Sequence, residues 1–119
     1  MPHFILEHTN NIVEVINSRE LFGKLHEILS ASDSFHLADM KSRVVTYDDY
    51  YVGDGKNENA FVHLTLSILT GRSLELRQHM GQKLLQTLEE YFTQSKAKLN
   101  CKITVEIHEI NRDTHFAPS

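Results

Sequence analysis

Hydrophobic residues recur with two different periods along the chain, and the first half shows both. Residues 3–8 alternate, with Phe4, Leu6 and His8 on one side of the backbone and His3, Ile5 and Glu7 on the other. A period of two predicts a β-strand, because successive side chains of an extended backbone point to opposite faces. A helix should follow, with Ser18 as its N-cap and a buried stripe of Leu21, Phe22, Leu25, Ile28 and Leu29. After a loop to Asp39, we predict a second strand from about Met40 to Val52, ended by the turn Gly53-Asp54-Gly55.

The same order of elements then repeats. Residues 60–69 alternate clearly and predict a third strand, in which Val62, Leu64, Leu66 and Ile68 share a face. Gly71 should end this strand, and Ser73 should cap a helix that runs to about Lys96 with a buried stripe of Met80, Leu84, Leu88, Tyr91 and Phe92. Ile103, Val105 and Ile107 mark a fourth strand, and the tail 111–119 is mostly polar.

This organisation predicts one α+β domain over residues 1–119, with one repeat at about 2–55 and the second at about 59–110. A helical connection suits parallel strands, and such crossovers are almost always right-handed. Two βαβ units side by side give a four-stranded mixed sheet with both helices on one face. We expect the opposite face to expose alternating apolar residues, which self-association would cover.

Composition and charge narrow the function class. The chain has 119 residues, a net charge of −4 and a single cysteine, Cys101. A nucleic-acid binder would carry a basic excess, and one cysteine excludes both an intramolecular disulfide and a four-cysteine zinc site. No apolar run approaches the roughly 20 residues of a membrane span, and the N-terminus lacks the basic and apolar regions of a signal peptide. We therefore expect a soluble cytoplasmic protein that binds neither nucleic acid nor a membrane.

The start Met1-Pro2 offers chemistry if Met1 is removed, and a following proline favours that removal. Pro2 then presents a secondary amine, and an α-amino group titrates near about 8. An apolar cavity with neighbouring cations lowers that pKa, and a neutral amine is a competent general base near pH 7. The eight histidines show no metal-binding spacing, so we expect no metal site.

The chain resembles the tautomerase superfamily, and most closely its 5-carboxymethyl-2-hydroxymuconate isomerase members. The resemblance runs from Pro2 to about Glu109 and rests on the order and spacing of several short segments: Pro2-His3-Phe4-Ile5, Lys41-Ser42-Arg43-Val44, Asp54-Gly55, Ala60-Phe61-Val62-His63-Leu64-Thr65-Leu66 and Gly71-Arg72-Ser73-Leu74-Glu75.

This resemblance implies a tautomerase fold assembled as a homotrimer, with the active site near subunit contacts. It also implies a cofactor-independent isomerase of homoprotocatechuate degradation, in which Pro2 moves a proton within an unsaturated di- or tricarboxylate. Arg72, Lys41 and Arg43 are then the substrate-binding residues. A guanidinium binds a carboxylate through two parallel hydrogen bonds, and Lys41 and Arg43, two apart on a strand, share a face.

The resemblance is imperfect at Lys41, where close relatives usually carry arginine. The positive charge is kept but the bidentate geometry is lost. Either Arg43 contributes more of the binding to the substrate carboxylate, or a related diacid is the true substrate.

Two further functions fit the same pattern of elements. One is a non-catalytic oligomeric protein of this fold that binds a small ligand, which retention of Met1 would favour. The other is a ferredoxin-like regulatory module, which should not depend on a free N-terminus.

Overall fold

The computed structural model describes residues 1–118, and a four-stranded mixed sheet organises them. Its strands are β1 (His3–Thr9), β2 (Lys41–Tyr47), β3 (Asn59–Leu69) and β4 (Asn100–Ile110), in the order β2-β1-β3-β4. The pairs β1–β2 and β3–β4 are parallel, whereas β1 and β3 are antiparallel. The predicted α+β architecture of two strand–helix–strand repeats is therefore confirmed.

Three α-helices, α1 (Ser18–Ser30), α2 (Leu74–Tyr91) and α3 (Thr93–Lys98), accompany the sheet, with single 3₁₀ turns at Leu37–Asp39 and Arg112–Thr114. The apolar stripes of α1 and α2 pack on the sheet face that carries the even-numbered residues of β1 and β3. The fully buried side chains of this core include Phe4, Leu6, Leu21, Leu25, Leu29, Leu64, Leu66, Ile68, Met80, Leu84, Leu88 and Phe92.

Two element boundaries differ from the sequence prediction. Ser18 is the first residue of α1 rather than its cap, because the Asn17 side chain accepts the hydrogen bond from the Glu20 N–H at 3.2 Å. The second strand begins at Lys41, close to the predicted start at about Met40, but it does not reach Val52. β2 pairs only with β1 and ends at Tyr47, opposite the last residue of its partner, Thr9. Ser73, by contrast, caps α2 as predicted, accepting from the Leu76 N–H at 3.1 Å.

The second helix is also interrupted, since Phe92 leaves the helical conformation at φ −100° and ψ 33°. A separate helix, α3, then begins at Thr93. The Glu14 carboxylate accepts from the backbone N–H groups of Gln94 and Ser95, at 2.9 Å and 3.2 Å. These bonds satisfy free amides at the start of α3, so the single helix predicted to about Lys96 is in fact two.

The sheet face away from the helices does not match the expectation of a mainly apolar surface. Its residues follow from the strand register: His3, Ile5, Glu7, Lys41, Arg43, Val45, Tyr47, Phe61, His63, Thr65, Ser67, Lys102, Thr104, Glu106 and His108. Most are polar or charged, because the alternation sends the apolar set to the helices. Its apolar surface comes from Ile5, Val45, Phe61, the Tyr47 ring and, at the end of the last two strands, Leu69 and Ile110.

Candidate active site

One end of the sheet brings together the residues that the sequence singles out. Pro2 is buried immediately before β1, and its carbonyl accepts the Lys41 N–H at 3.0 Å. The antiparallel pairing sets His3 opposite Ser67, so the end of β3 returns to the same place. Arg72 follows that end three residues after Leu69. The sheet topology thus delivers both Lys41 and Arg72 to the chain's amino terminus.

Backbone carbonyls and an aromatic ring hold the Arg72 guanidinium in place. Its Nη2 donates to the Ser34 carbonyl at 2.7 Å, and its Nη1 donates to the Leu69 carbonyl at 3.3 Å. The guanidinium carbon also lies 4.3 Å from the centre of the buried Phe35 ring. Burial and the nearby Arg112 charge lower the pKa of Arg72, although an arginine remains protonated. The side chain is therefore a fixed positive charge.

Arg43 lies one step further along β2 and reaches the site through His3. Its Nη2 donates to His3 Nδ1 at 2.9 Å, which requires an unprotonated Nδ1 on the imidazole. Burial lowers the pKa of His3, and the charges of Arg43 and Lys41 lower it further. The imidazole is accordingly held in its neutral form beside these cations. Lys41 itself donates from Nζ to the Asp39 carbonyl at 3.1 Å.

The free amino group at this end of the chain is that of Met1, and its surroundings disfavour its charged form. Desolvation lowers the pKa of the Met1 amine, and the charges of Lys41 and Arg72 lower it further. The Asp39 carboxylate acts in the opposite direction. Pro2 is buried and Met1 is half-buried, so the start of the chain is packed against the protein.

The sequence analysis missed several residues of this site. Ser34 and Phe35 lie in the predicted loop and hold Arg72, while Asp39 opposes the effect of Lys41. Arg112 belongs to the polar tail, yet its Nε donates to the Thr70 carbonyl at 2.6 Å, next to the Gly71-Arg72 segment. No periodicity marks any of these four positions, because Ser34 and Phe35 lie in a loop, and Asp39 and Arg112 lie in two separate 3₁₀ turns.

The site carries an excess of positive charge. Among residues 1–118, no carboxylate oxygen lies within 4.0 Å of the charged nitrogens of Lys41, Arg43, Arg72 or Arg112. Such a group of cations around a partly desolvated amine can hold carboxylates and stabilise a developing enolate, while the neutral amine takes up a proton. Across the same described range, no group of three or more His, Cys, Asp or Glu residues is placed to hold a metal ion.

The larger surface grooves lie away from this site. A groove of about 880 Å³ lies between α1 and α2, and both acidic and basic side chains line it, including Glu14, Lys24 and Glu90. Another, of about 610 Å³, lies between α2 and β4. Pro2, Lys41, Arg43 and Arg72 line neither of them. No helix within residues 1–118 is both long and apolar enough to cross a membrane.

Comparison with known proteins gives consistent results. The family model described as 5-carboxymethyl-2-hydroxymuconate isomerase matches residues 2–118. The chain is 37% identical over 116 residues to 5-carboxymethyl-2-hydroxymuconate Delta-isomerase of Escherichia coli, covering 98% of this chain and 92% of that one. A crystal structure of a 5-carboxymethyl-2-hydroxymuconate isomerase from Deinococcus radiodurans R1 superimposes with a TM-score of 0.92 at 31% identity, over 99% of this chain and 89% of that one. A fused 4-OT wild-type symmetric trimer shares the fold alone, with a TM-score of 0.73 at 13% identity, over 98% of this chain and 92% of that one.

Proposed function

Because the chain belongs to the 5-carboxymethyl-2-hydroxymuconate isomerase family, we propose that Pro2 is the general base of a cofactor-independent isomerase. The enzyme moves a proton within 5-carboxymethyl-2-hydroxymuconate, a step in the breakdown of an aromatic acid. The observation that carries this role is the place of Pro2 at the end of the sheet where Lys41 and Arg72 also lie, next to a Met1 amine whose pKa is lowered by desolvation and by the charges of these two cations.

The base requires removal of Met1, because the Pro2 nitrogen is otherwise an amide. Removal makes the secondary amine of Pro2 the free amino group of the chain, one residue from the position where Lys41 and Arg72 lower the pKa of the Met1 amine. In its neutral form this amine accepts a proton from the hydroxydiene of the substrate. It returns the proton to a carbon further along the conjugated system, so that one double bond shifts and the base is regenerated.

Arg72, Lys41 and Arg43 bind the substrate in this proposal. These cations have no carboxylate partner among residues 1–118, and the carboxylates of the substrate bind to them instead. Arg72 is the best placed to stabilise charge on the enolate, because two carbonyls and Phe35 fix its orientation before the substrate binds. Lys41 provides a point charge without the bidentate geometry of arginine.

We further propose a cytoplasmic homotrimer that takes an unsaturated di- or tricarboxylate as its ligand. The open sheet face carries apolar side chains on several strands, among them Val45, Ile5 and Phe61, which a second copy can cover. Pro2, Lys41, Arg43 and Arg72 line neither of the two grooves described above, which agrees with an active site completed at a subunit contact, and the fused 4-OT neighbour is itself described as a symmetric trimer.

The test is a Pro2→Ala variant, with Pro118→Ala as the matched control at the chain's other proline. Both proteins are checked by intact mass for loss of Met1 and by light scattering for oligomeric state. Turnover of 5-carboxymethyl-2-hydroxymuconate is followed by ultraviolet absorbance. We expect Pro2→Ala to lose about 10²- to 10⁴-fold in kcat, the usual contribution of a general base, and Pro118→Ala to retain full activity. Full activity of Pro2→Ala, or retention of Met1 in active wild-type enzyme, would overturn the role of Pro2.

A further inference from the structure

Arg112 is fixed beside Arg72 by the chain segment that joins β3 to α2. The Arg112 Nε donates to the Thr70 carbonyl at 2.6 Å, while the Arg72 Nη1 donates to the preceding carbonyl, that of Leu69. Gly71 follows the second of these carbonyls in chain order, and a Cβ atom built on it would lie 3.5 Å from Arg112 Nη2. Two guanidinium groups are thus attached to consecutive carbonyls of one short segment.

Placing two positive charges together is unfavourable unless an anion lies between them. Within residues 1–118, neither guanidinium has a carboxylate oxygen within 4.0 Å. The adjacent Asp113 makes no ion pair with Arg112, and its backbone N–H donates to the Asn111 side chain at 2.9 Å. Within residues 1–118, the Nε bond to Thr70 is the hydrogen bond that the Arg112 guanidinium makes, so its terminal nitrogens have no partner there, and the residue is exposed. This arrangement leaves room for an external carboxylate.

Arg112 occupies a more peripheral position than Arg72. It follows the end of β4 and is attached to the Thr70 carbonyl, whereas Arg72 and Lys41 lower the pKa of the amino terminus by their charges. Arg112 is exposed and Arg72 is half-buried. A carboxylate bound by Arg112 should therefore be a peripheral one, outside the conjugated system that reacts.

We propose that Arg112 is a specificity-determining residue that binds the carboxylate of the substrate's carboxymethyl branch. This inference rests on the proposed isomerase function. The branch carboxylate is separated from the conjugated chain by a saturated carbon, so it occupies the peripheral position that Arg112 can reach. With Arg112 included, the site offers four cations for three carboxylates and the developing enolate oxygen.

The kinetic test compares two substrates, 5-carboxymethyl-2-hydroxymuconate and 2-hydroxymuconate, which lacks the branch. The variant is Arg112→Gln, and the control is Arg19→Gln, which removes the same charge at the opposite end of the sheet, at the start of α1. For the branched substrate we expect kcat/KM to fall between about tenfold and about a hundredfold, mainly through KM, as expected for loss of a charge-assisted hydrogen bond. For 2-hydroxymuconate the change should be less than about threefold, and Arg112→Lys should recover part of the loss.

Binding of unreactive acids keeps this inference separate from the isomerase proposal. Calorimetry with propane-1,2,3-tricarboxylate and with glutarate should show that wild-type protein prefers the tricarboxylate and that Arg112→Gln loses the preference, whether or not the protein turns over any substrate. An equal loss for both substrates in kcat would mean that Arg112 only positions the Gly71-Arg72 segment. That result, or unchanged discrimination between the tricarboxylate and glutarate, would overturn the inference.

Discussion

Gly71 is the backbone position on which the orientation of Arg72 depends, and replacing it with alanine tests that dependence. Its φ of +127° lies in a region that only glycine adopts readily. The segment must turn sharply here because β3 ends at Leu69 and α2 begins at Leu74, with Arg72 presented between them. Alanine at this position therefore either strains the backbone or changes its path.

The magnitude follows from comparing the space and the backbone at two glycines. A Cβ on Gly71 would lie 3.5 Å and 3.8 Å from the Arg112 guanidinium nitrogens, which is ordinary van der Waals contact, so the cost comes from the backbone. Such strain is worth about 1–3 kcal/mol. Gly23 lies within α1 with nothing within 4 Å of its Cβ position, so Gly23→Ala should stabilise the protein by about 1 kcal/mol. The two alanine variants should differ in stability by about 2–4 kcal/mol.

Catalysis should respond at Gly71 and not at Gly23. Relief of the strain changes the direction of the chain at Arg72 and weakens its bonds to Ser34 and Leu69. Displacing a guanidinium that makes charge-assisted bonds of about 1.5–3 kcal/mol should lower kcat/KM by about tenfold or more. Gly23→Ala, in contrast, should keep wild-type kinetics.

Urea denaturation followed by circular dichroism gives the stability difference, and the ultraviolet isomerase assay gives kcat/KM. All proteins are compared at one subunit concentration, because association contributes to the apparent stability of an oligomer. A Gly71→Ala protein that is as stable and as active as wild type would refute the assignment of this turn as the support of Arg72.

Two further predictions concern protonation at the site. Lys41→Met removes a charge that lowers the pKa of the terminal amine, so the acid limb of the plot of kcat/KM against pH should move to higher pH. Asp39→Asn removes a charge that raises the same pKa, so it should move the acid limb to lower pH. An unshifted acid limb in both variants would contradict the proposed electrostatic control of the base. Arg43→Met removes the donor to His3 Nδ1 and a nearby positive charge, so an NMR titration should show a higher pKa for His3. Arg19→Met is the control and should leave the His3 titration unshifted. An unchanged His3 titration in Arg43→Met would show that Arg43 does not hold the imidazole neutral.

The regular elements of this fold could be predicted because their burial is periodic. A period of two marks one face of β3, with Val62, Leu64 and Leu66, and a period of about 3.6 marks one stripe of α2, with Met80, Leu84 and Leu88. Both sets of residues are buried, as predicted. The mixed sheet then follows from the order of elements and the parallel character of each repeat. The convergence of Pro2, Lys41 and Arg72 was expected from family resemblance, and the sheet register explains it.

The features that could not be predicted depend on contacts between residues far apart in sequence. Glu14 caps α3 from 80 residues away, which no local pattern indicates. Arg112 reaches Thr70 across 42 positions, and in sequence it is simply a charged residue in a polar tail. The polar character of the open sheet face becomes evident only when both faces of the alternating strands are considered, not the apolar face alone. The residues between Val62, Leu64 and Leu66 are themselves His63 and Thr65, so the second face could have been inferred from the same stretch.

The position of Pro2 at the first residue before an inner strand explains why this fold suits an amino-terminal base. β1 lies between β2 and β3, so hydrogen bonds hold its backbone on both sides from His3 onward. The parallel neighbour begins beside it and supplies Lys41, whereas the antiparallel neighbour ends beside it and supplies Arg72. A strand at the edge of the sheet would have only one such neighbour, and two parallel neighbours would bring only strand beginnings to the base. The mixed order β2-β1-β3-β4 therefore brings Lys41 and Arg72, from two distant parts of the chain, to the amino terminus. The same order brings the end of β4, with Arg112 just beyond it, to the segment that carries Arg72.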